Sequence, residues 1–98
     1  MDEAIVREHA QAHGQAIVDG DNDRAGSDLT KAAMPTVGPV MKAMPNPVET
    51  AEVQSVVGEG DSFVVTICYR GPQAAELTVR SVWVDEGGRP KIAELQLP

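Results

Sequence analysis

Four stretches in the second half of this chain, roughly 48–58, 62–70, 76–85 and 90–97, alternate between apolar and polar residues. Between them stand GEGD, RGPQ and EGG, each with a glycine suited to a tight turn. Alternation over a strand's length lets a sheet bury one face and solvate the other, so these stretches read as a hairpin-linked antiparallel meander. The first half lacks that rhythm and repeats at helical spacing. Helices followed by strands argue for an α+β domain in which the sheet curls over the helices. With 98 residues there is room for one domain, spanning 1–98, and a modest core.

Asp2 is placed to cap a first helix, its carboxylate meeting free backbone N–H groups. Val6, Ala10, His13 and Ile17 then recur on one face, flanked by Ile5, His9, Ala12 and Ala16, while Glu3, Arg7, Gln11 and Gln15 take the other. Gly14 costs such a helix up to ~1 kcal/mol relative to Ala, so its presence implies a close neighbour. Gly20 terminates the helix, and Asp21 caps a short second one that begins at Asn22 and carries Ala25 and Leu29 inward. Between Met34 and Pro47 lie Met34, Met41 and Met44 together with Pro35, Pro39, Pro45 and Pro47. Pro35 suits the first turn of a third helix with Val37, Val40, Met41 and Met44 on its inner face. Pro39 requires that helix to be short or late in starting, and Pro45 and Pro47 stop it.

Register follows from the apolar pattern. Pairing Arg70 with Glu76 sets Tyr69 against Leu77, Ile67 against Val79, Val65 against Ser81 and Phe63 against Trp83, which collects the large apolar residues on one face. Across the Glu59-Gly60-Asp61 turn, Val57 falls beside Phe63 and Val53 beside Ile67. The last strand allows two registers. A two-residue Gly87-Gly88 turn sets Ile92 beside Trp83 and turns Glu94 inward; a loop one residue longer or shorter brings in Ala93, Leu95 and Leu97.

On the opposite face Val56, Val64, Cys68, Val82 and Val84 alternate with Glu52, Gln54, Thr66, Thr78 and Arg80. So many valines on a solvated face predict a homodimer through Val56, Val64, Arg80, Val82 and Val84. Valines chosen for strand propensity alone give the same pattern.

Composition excludes several classes of function. A net charge of −7 with 3% aromatic residues withholds both the electrostatic and the stacking contributions to nucleic-acid binding. No apolar run approaches the ~20 residues of a membrane span. MDEAIVREHAQ has neither the basic nor the apolar region of a secretory signal, and the lone Cys68 forms no internal disulfide, so the expected compartment is the cytoplasm.

Motif chemistry is sparse. His9 and His13 stand four apart, but HExxH needs Glu where Ala10 stands, and no third His exists. Asp19, Asp21 and Asp23 imitate the first positions of a calcium loop, yet its glycine position holds Arg24 and its twelfth holds Thr30; helix capping accounts for the acids. Cys68, mid-strand among apolar neighbours, reads as a packed and inert thiol. There is no G-x-S-x-G, P-loop or G-x-G-x-x-G, so no metal and no cofactor is expected.

The first helix with AHGQAIVDGDND, the two short helices after it and the long hairpins with DEGGRPKI in the last turn resemble the nuclear transport factor 2-like superfamily, and in it the small SnoaL-like proteins. That resemblance implies a cystatin-like cone, a strongly curved four-stranded antiparallel sheet packed around the N-terminal helices, open at one end to an apolar pocket. Members of the superfamily include isomerases, cyclases, dehydratases, binding proteins and dimerisation modules, so the resemblance implies no one chemistry. This chain is shorter than most members, which implies a shallow or partly filled pocket.

The candidate pocket residues are Ile17, Met34, Met41, Met44, Phe63, Tyr69 and Trp83, with the rings of Phe63 and Trp83 equally suited to plugging the cone. An Asp, Glu or His on the inner wall acts as general acid or base in pocketed members, and here the resemblance implies His13, with Tyr69 and Glu94 beside it. Three functions are expected from this: a homodimeric module that takes a small apolar ligand, an isomerase- or cyclase-type enzyme acting on a polycyclic or keto substrate through His13 and Glu94, and a subunit that packs on a larger protein.

Overall fold

The computed structural model describes residues Met1–Pro98. Helix α1 spans Glu3–Asp19, with the Asp2 carboxylate accepting from the Ile5 N–H at 2.9 Å and Gly20 closing the helix in the left-handed region. Val6, Ala10, His13, Gly14 and Ala16 form its buried stripe. The close neighbour implied by Gly14 is strand β1 (Thr50–Glu59): a Cβ on Gly14 would stand 3.0 Å from the Ala51 Cβ. Helix α2, Asn22–Ser27, is capped by Asp21, whose carboxylate accepts from the Arg24 N–H at 3.1 Å. Ala25 is buried there as expected, but Leu29 lies beyond the helix.

A 3₁₀ turn at Lys31–Ala33 leads into helix α3, Met34–Ala43, with Pro35 in its first turn. Pro39 stands inside the helix and lacks the N–H that would reach the Pro35 carbonyl, so α3 runs on past it with that one interior bond missing. Thr36 Oγ1 donates to the Ala33 carbonyl at 2.6 Å and accepts from the Leu95 N–H at 3.1 Å, tying α3 to the last strand.

Strands β1, β2 (Ser62–Arg70), β3 (Glu76–Glu86) and β4 (Arg89–Gln96) form one antiparallel sheet in that order. The sheet is curved and unclosed, and with the helices packed in it the architecture is an α+β cone. Every pair expected between β2 and β3 is present, from Phe63 opposite Trp83 to Arg70 opposite Glu76. At the top of this hairpin Gly71 is compulsory, because a Cβ there would come within 2.5 Å of the Pro47 carbonyl oxygen and 2.6 Å of the Pro45 Cβ. The prolines that end the helical half thus pack directly onto the second hairpin.

Both outer strands depart from the simple alternation. In β1, Val53 faces Ile67 as expected, but Gln54 is an extra residue, after which Ser55 pairs with Thr66 and Val56 with Val65. One extra residue inverts every later side chain. Val56 therefore points into the core rather than into the outer face, Val57 stands outside beside Val64 at 54% exposure, and Gly58 takes the place opposite Phe63. In β4 the extra residue is Ala93. Ile92 faces Trp83, as the two-residue turn predicts, whereas Glu94 pairs with Val82 and Leu95 with Ser81. Each of the two registers thus holds for part of the strand, and both Ile92 and Leu95 point inward.

The core joins Val6 and Ala10 of α1 to Val65, Trp83 and Ile92 of the sheet, all fully buried. The Trp83 indole N–H donates to Ser81 Oγ at 2.9 Å, and the Ser81 hydroxyl donates to the Val65 carbonyl at 3.2 Å. The one buried polar edge of the ring is thereby satisfied at no cost to packing. No helix is long and apolar enough to cross a membrane.

Candidate functional site

The open end of the cone holds a cleft of about 220 Å³ between α1, α2, α3 and the sheet. Of the seven residues expected to line it, Ile17, Met34, Met41, Met44 and Tyr69 do so. Phe63 and Trp83 do not. Trp83 is sealed in the core, and Phe63 packs over Gly58 near the first hairpin turn, 3.5 Å from where a Cβ of that residue would be. Both rings fill the sheet's own concavity, because their register sets them opposite each other at the end of the strands away from Tyr69.

His13 borders the cleft from α1, 6% exposed. Its Nδ1 lies 2.9 Å from Asp28 Oδ2, and both side chains are buried. The carboxylate is an acceptor only, so Nδ1 carries the proton and donates. The other carboxylate oxygen, Oδ1, accepts from Arg89 Nη2, and Arg89 Nη1 donates to the Ser27 carbonyl at 3.2 Å. Two backbone bonds hold Asp28 in place: the Ile92 N–H donates to its carbonyl at 2.7 Å and the Thr30 N–H donates to the Ile92 carbonyl at 2.9 Å. Residues 28–30 in this way add a short parallel bridge to β4. Trp83 touches the site from behind, its ring edge-on to the His13 imidazole with centroids 6.1 Å apart.

Tyr69 is 2% exposed and shares the cleft wall. Neither its hydroxyl nor His13 Nε2 bonds to any protein atom, yet Thr30 Oγ1 is the only buried side-chain polar atom that lacks both a partner and accessible surface. Both atoms therefore open on the cleft. Burial pushes the Tyr69 hydroxyl well above the usual tyrosine range, so it remains a neutral donor at all ordinary pH. Apart from the exposed Asn22, the cleft is apolar with two polar points, one donor and one acceptor.

Glu94 is not part of this arrangement. The bulge at Ala93 turns it to the outer face beside Val82, where it is exposed, and so it shares no surface with His13. Its place as the carboxylate near His13 is taken by Asp28, which the sequence offered no reason to choose. The two histidines also separate: His13 is tied to Asp28, whereas His9 lies on a different groove. No three His, Cys, Asp or Glu side chains converge as metal ligands do. The chain matches no family model, no curated protein and no solved structure.

Proposed function

We propose that the cone binds a small, mainly apolar molecule bearing one carbonyl or hydroxyl oxygen, with Tyr69 donating to that oxygen and His13 Nε2 facing it. The observation that carries this reading is the pair of unpartnered polar atoms in an otherwise apolar cleft. A filled core leaves no such atoms open, and a hydration groove is not walled by Ile17, Leu29, Val37, Val40 and three methionines. A cleft of about 220 Å³ lies below the range of drug-sized pockets, which limits the occupant to something of one or two rings. The methionines suit a ligand of irregular shape. Kinship with the nuclear transport factor 2-like cone belongs to the same proposal.

Proton transfer next to a carbonyl is the second reading, and the Asp28–His13 bond favours it. With Nδ1 committed to Asp28, Nε2 is the basic nitrogen of the neutral ring. It takes a proton from the carbon beside the carbonyl, the C–H electron pair becomes the new C=C bond as the carbonyl π pair moves to the oxygen, and Tyr69 donates to the enolate that forms. The proton returns from His13 to either end of the enol system.

Indanone is a suitable probe for both. Saturable shifts of the Met34, Met41 and Met44 methyl signals, with binding about tenfold weaker in Tyr69→Phe, support the binding site. Methyl signals that stay fixed at saturating ketone dismiss it. Exchange of the ketone's α-protons for deuterium, accelerated by the protein and lost in His13→Gln, supports proton transfer; binding without accelerated exchange leaves a binding protein.

The homodimer is a further part of the proposal, through an outer face now composed of Val57, Val82 and Val84 with Arg80 around the buried Val64, and without Val56. Val57→Asp with Val82→Asp converts a dimer to a folded monomer in sedimentation. A wild-type chain that sediments as a monomer at high micromolar concentration ends this part of the proposal.

A further inference from the structure

Helix α2 separates two cavities. Its Asn22, Ala25 and Gly26 border the apolar cleft, and its Arg24 faces a polar groove of about 300 Å³ on the other side, shared with Glu8, His9, Ser27, Asp28 and Arg89. We propose that this groove is a second binding site, for the carboxylate of a small monoanionic acid, with Arg24 and Arg89 as its cationic walls.

The argument begins with what the arginines leave unused. Arg89 gives Nη1 to the Ser27 carbonyl and Nη2 to Asp28, and the rest of its fork is free on a side chain 40% exposed. Its bonds to the end of α2 act as a clasp between that helix and β4, which accounts for Arg89 as a structural residue. The clasp does not account for Arg24. Acids outnumber bases 15 to 8 in this chain, yet Arg24 forms no ion pair and lines the groove with Arg89. Two guanidinium groups on one concave surface of an acidic protein form a place where an anion gains what the rest of the surface denies it.

Charge decides the class of anion. Glu8 and Asp28 balance the formal charge of the two arginines, so a phosphate dianion meets twice the uncompensated repulsion that a monoanion does. A carboxylate carries one charge, and its planar pair of oxygens matches the guanidinium fork. Asp28 gives the site its second property. One of its oxygens lies on Arg89 at the groove and the other on His13 at the cleft, so a carboxylate that draws on Arg89 loosens its hold on Asp28 and alters the His13 Nδ1 bond. The groove thereby reports its occupancy to the cleft without any shared atom of ligand.

Titration of the full chain with sodium acetate, against sodium chloride at matched ionic strength, tests this by nitrogen NMR of the arginine Nε–H groups and the His13 ring. The expected result is a saturable movement of the Arg24 and Arg89 signals with acetate alone, and movement of the His13 nitrogens with the same midpoint. Arg24→Gln removes an exposed, unpaired side chain, so the protein stays folded and acetate binds about threefold to fivefold more weakly. Equal, non-saturating responses to acetate and chloride overturn the site, as does unchanged acetate affinity in Arg24→Gln. Inorganic phosphate that outcompetes acetate at equal concentration overturns the assignment to a carboxylate. His13 nitrogens that stay fixed while the arginine signals saturate overturn the link through Asp28. The ketone experiment on the cleft can fail with every one of these outcomes intact, because the groove depends on no chemistry at His13.

Discussion

Trp83 and Met41 mark the two ends of the cone, and they are held in opposite ways. Trp83 is fully buried, its N–H bonded to Ser81 and its ring set against His13, Phe63 and Ile92 across fixed register pairs. Met41 is 51% exposed and Met34 is 56% exposed, at the rim of a cleft whose deeper walls include the buried His13, Val40, Tyr69 and Val79. One end is filled by a rigid ring with a single satisfied polar edge. The other is bordered by unbranched thioethers that adopt many rotamers at little cost. On the proposed reading, stability and binding fall to different side chains in a domain too small for many spare ones.

The most severe break of this contrast is Trp83→Ala. It leaves a cavity at the sealed end and removes the ring behind His13, and it is expected to cost about 3–5 kcal/mol in urea unfolding. A loss below ~1 kcal/mol would mean that the sealed end is not where stability resides. Gly71→Ala comes next, at about 1–3 kcal/mol, because the new methyl group meets the Pro47 carbonyl and Pro45. Crystals of that variant with an undisturbed Pro45–Pro47 segment and unchanged stability would remove the proline contact from the account.

Tyr69, on the buried wall of the cleft, sharpens the contrast through pH. It is the only tyrosine, so its ionisation is read directly by ultraviolet absorbance. Its folded pKa is raised by burial, so the unfolded chain loses this proton first as pH rises. Stability attributable to the neutral hydroxyl is complete below the ordinary tyrosine value and declines above it. Tyr69→Phe is expected to flatten that alkaline decline. A tyrosine that ionises at its ordinary value in the folded protein contradicts its burial. Smallest of all is Met41→Ala, expected to change stability by less than ~0.5 kcal/mol while altering the affinity for the ketone probe. An equal loss in Met41→Ala and Trp83→Ala would erase the distinction between the ends.

The same contrast separates what could be read from the sequence and what could not. The β2–β3 register was legible because Tyr69, Ile67, Val65 and Phe63 leave only one pairing that buries them together. The caps at Asp2 and Asp21, and the neighbour of Gly14, were legible because each is a local requirement of backbone geometry. Gln54 and Ala93 gave no warning of a bulge. Neither is glycine, and each lies within an unbroken alternation, so Val56 is expected on the outer face and neither of the two registers open to the last strand contains the bulge that turns Glu94 outward after Ile92. Asp28 was missed for a different reason. Nothing within SDLT distinguishes a buried acid from a solvated one; its partners arrive from fifteen residues upstream and from sixty-one downstream.

The two bulges lie in β1 and β4, the strands at the margins of the sheet. An uninterrupted marginal strand offers a ready template for another chain to add to, and a kink in the hydrogen-bonding ladder spoils that template. On β4 the same margin is also met by Leu29, which bridges to Ile92. The displacement that sends Val56 and Leu95 inward therefore also protects this small domain at high concentration, by denying its neighbours a straight edge on which a fibril could grow.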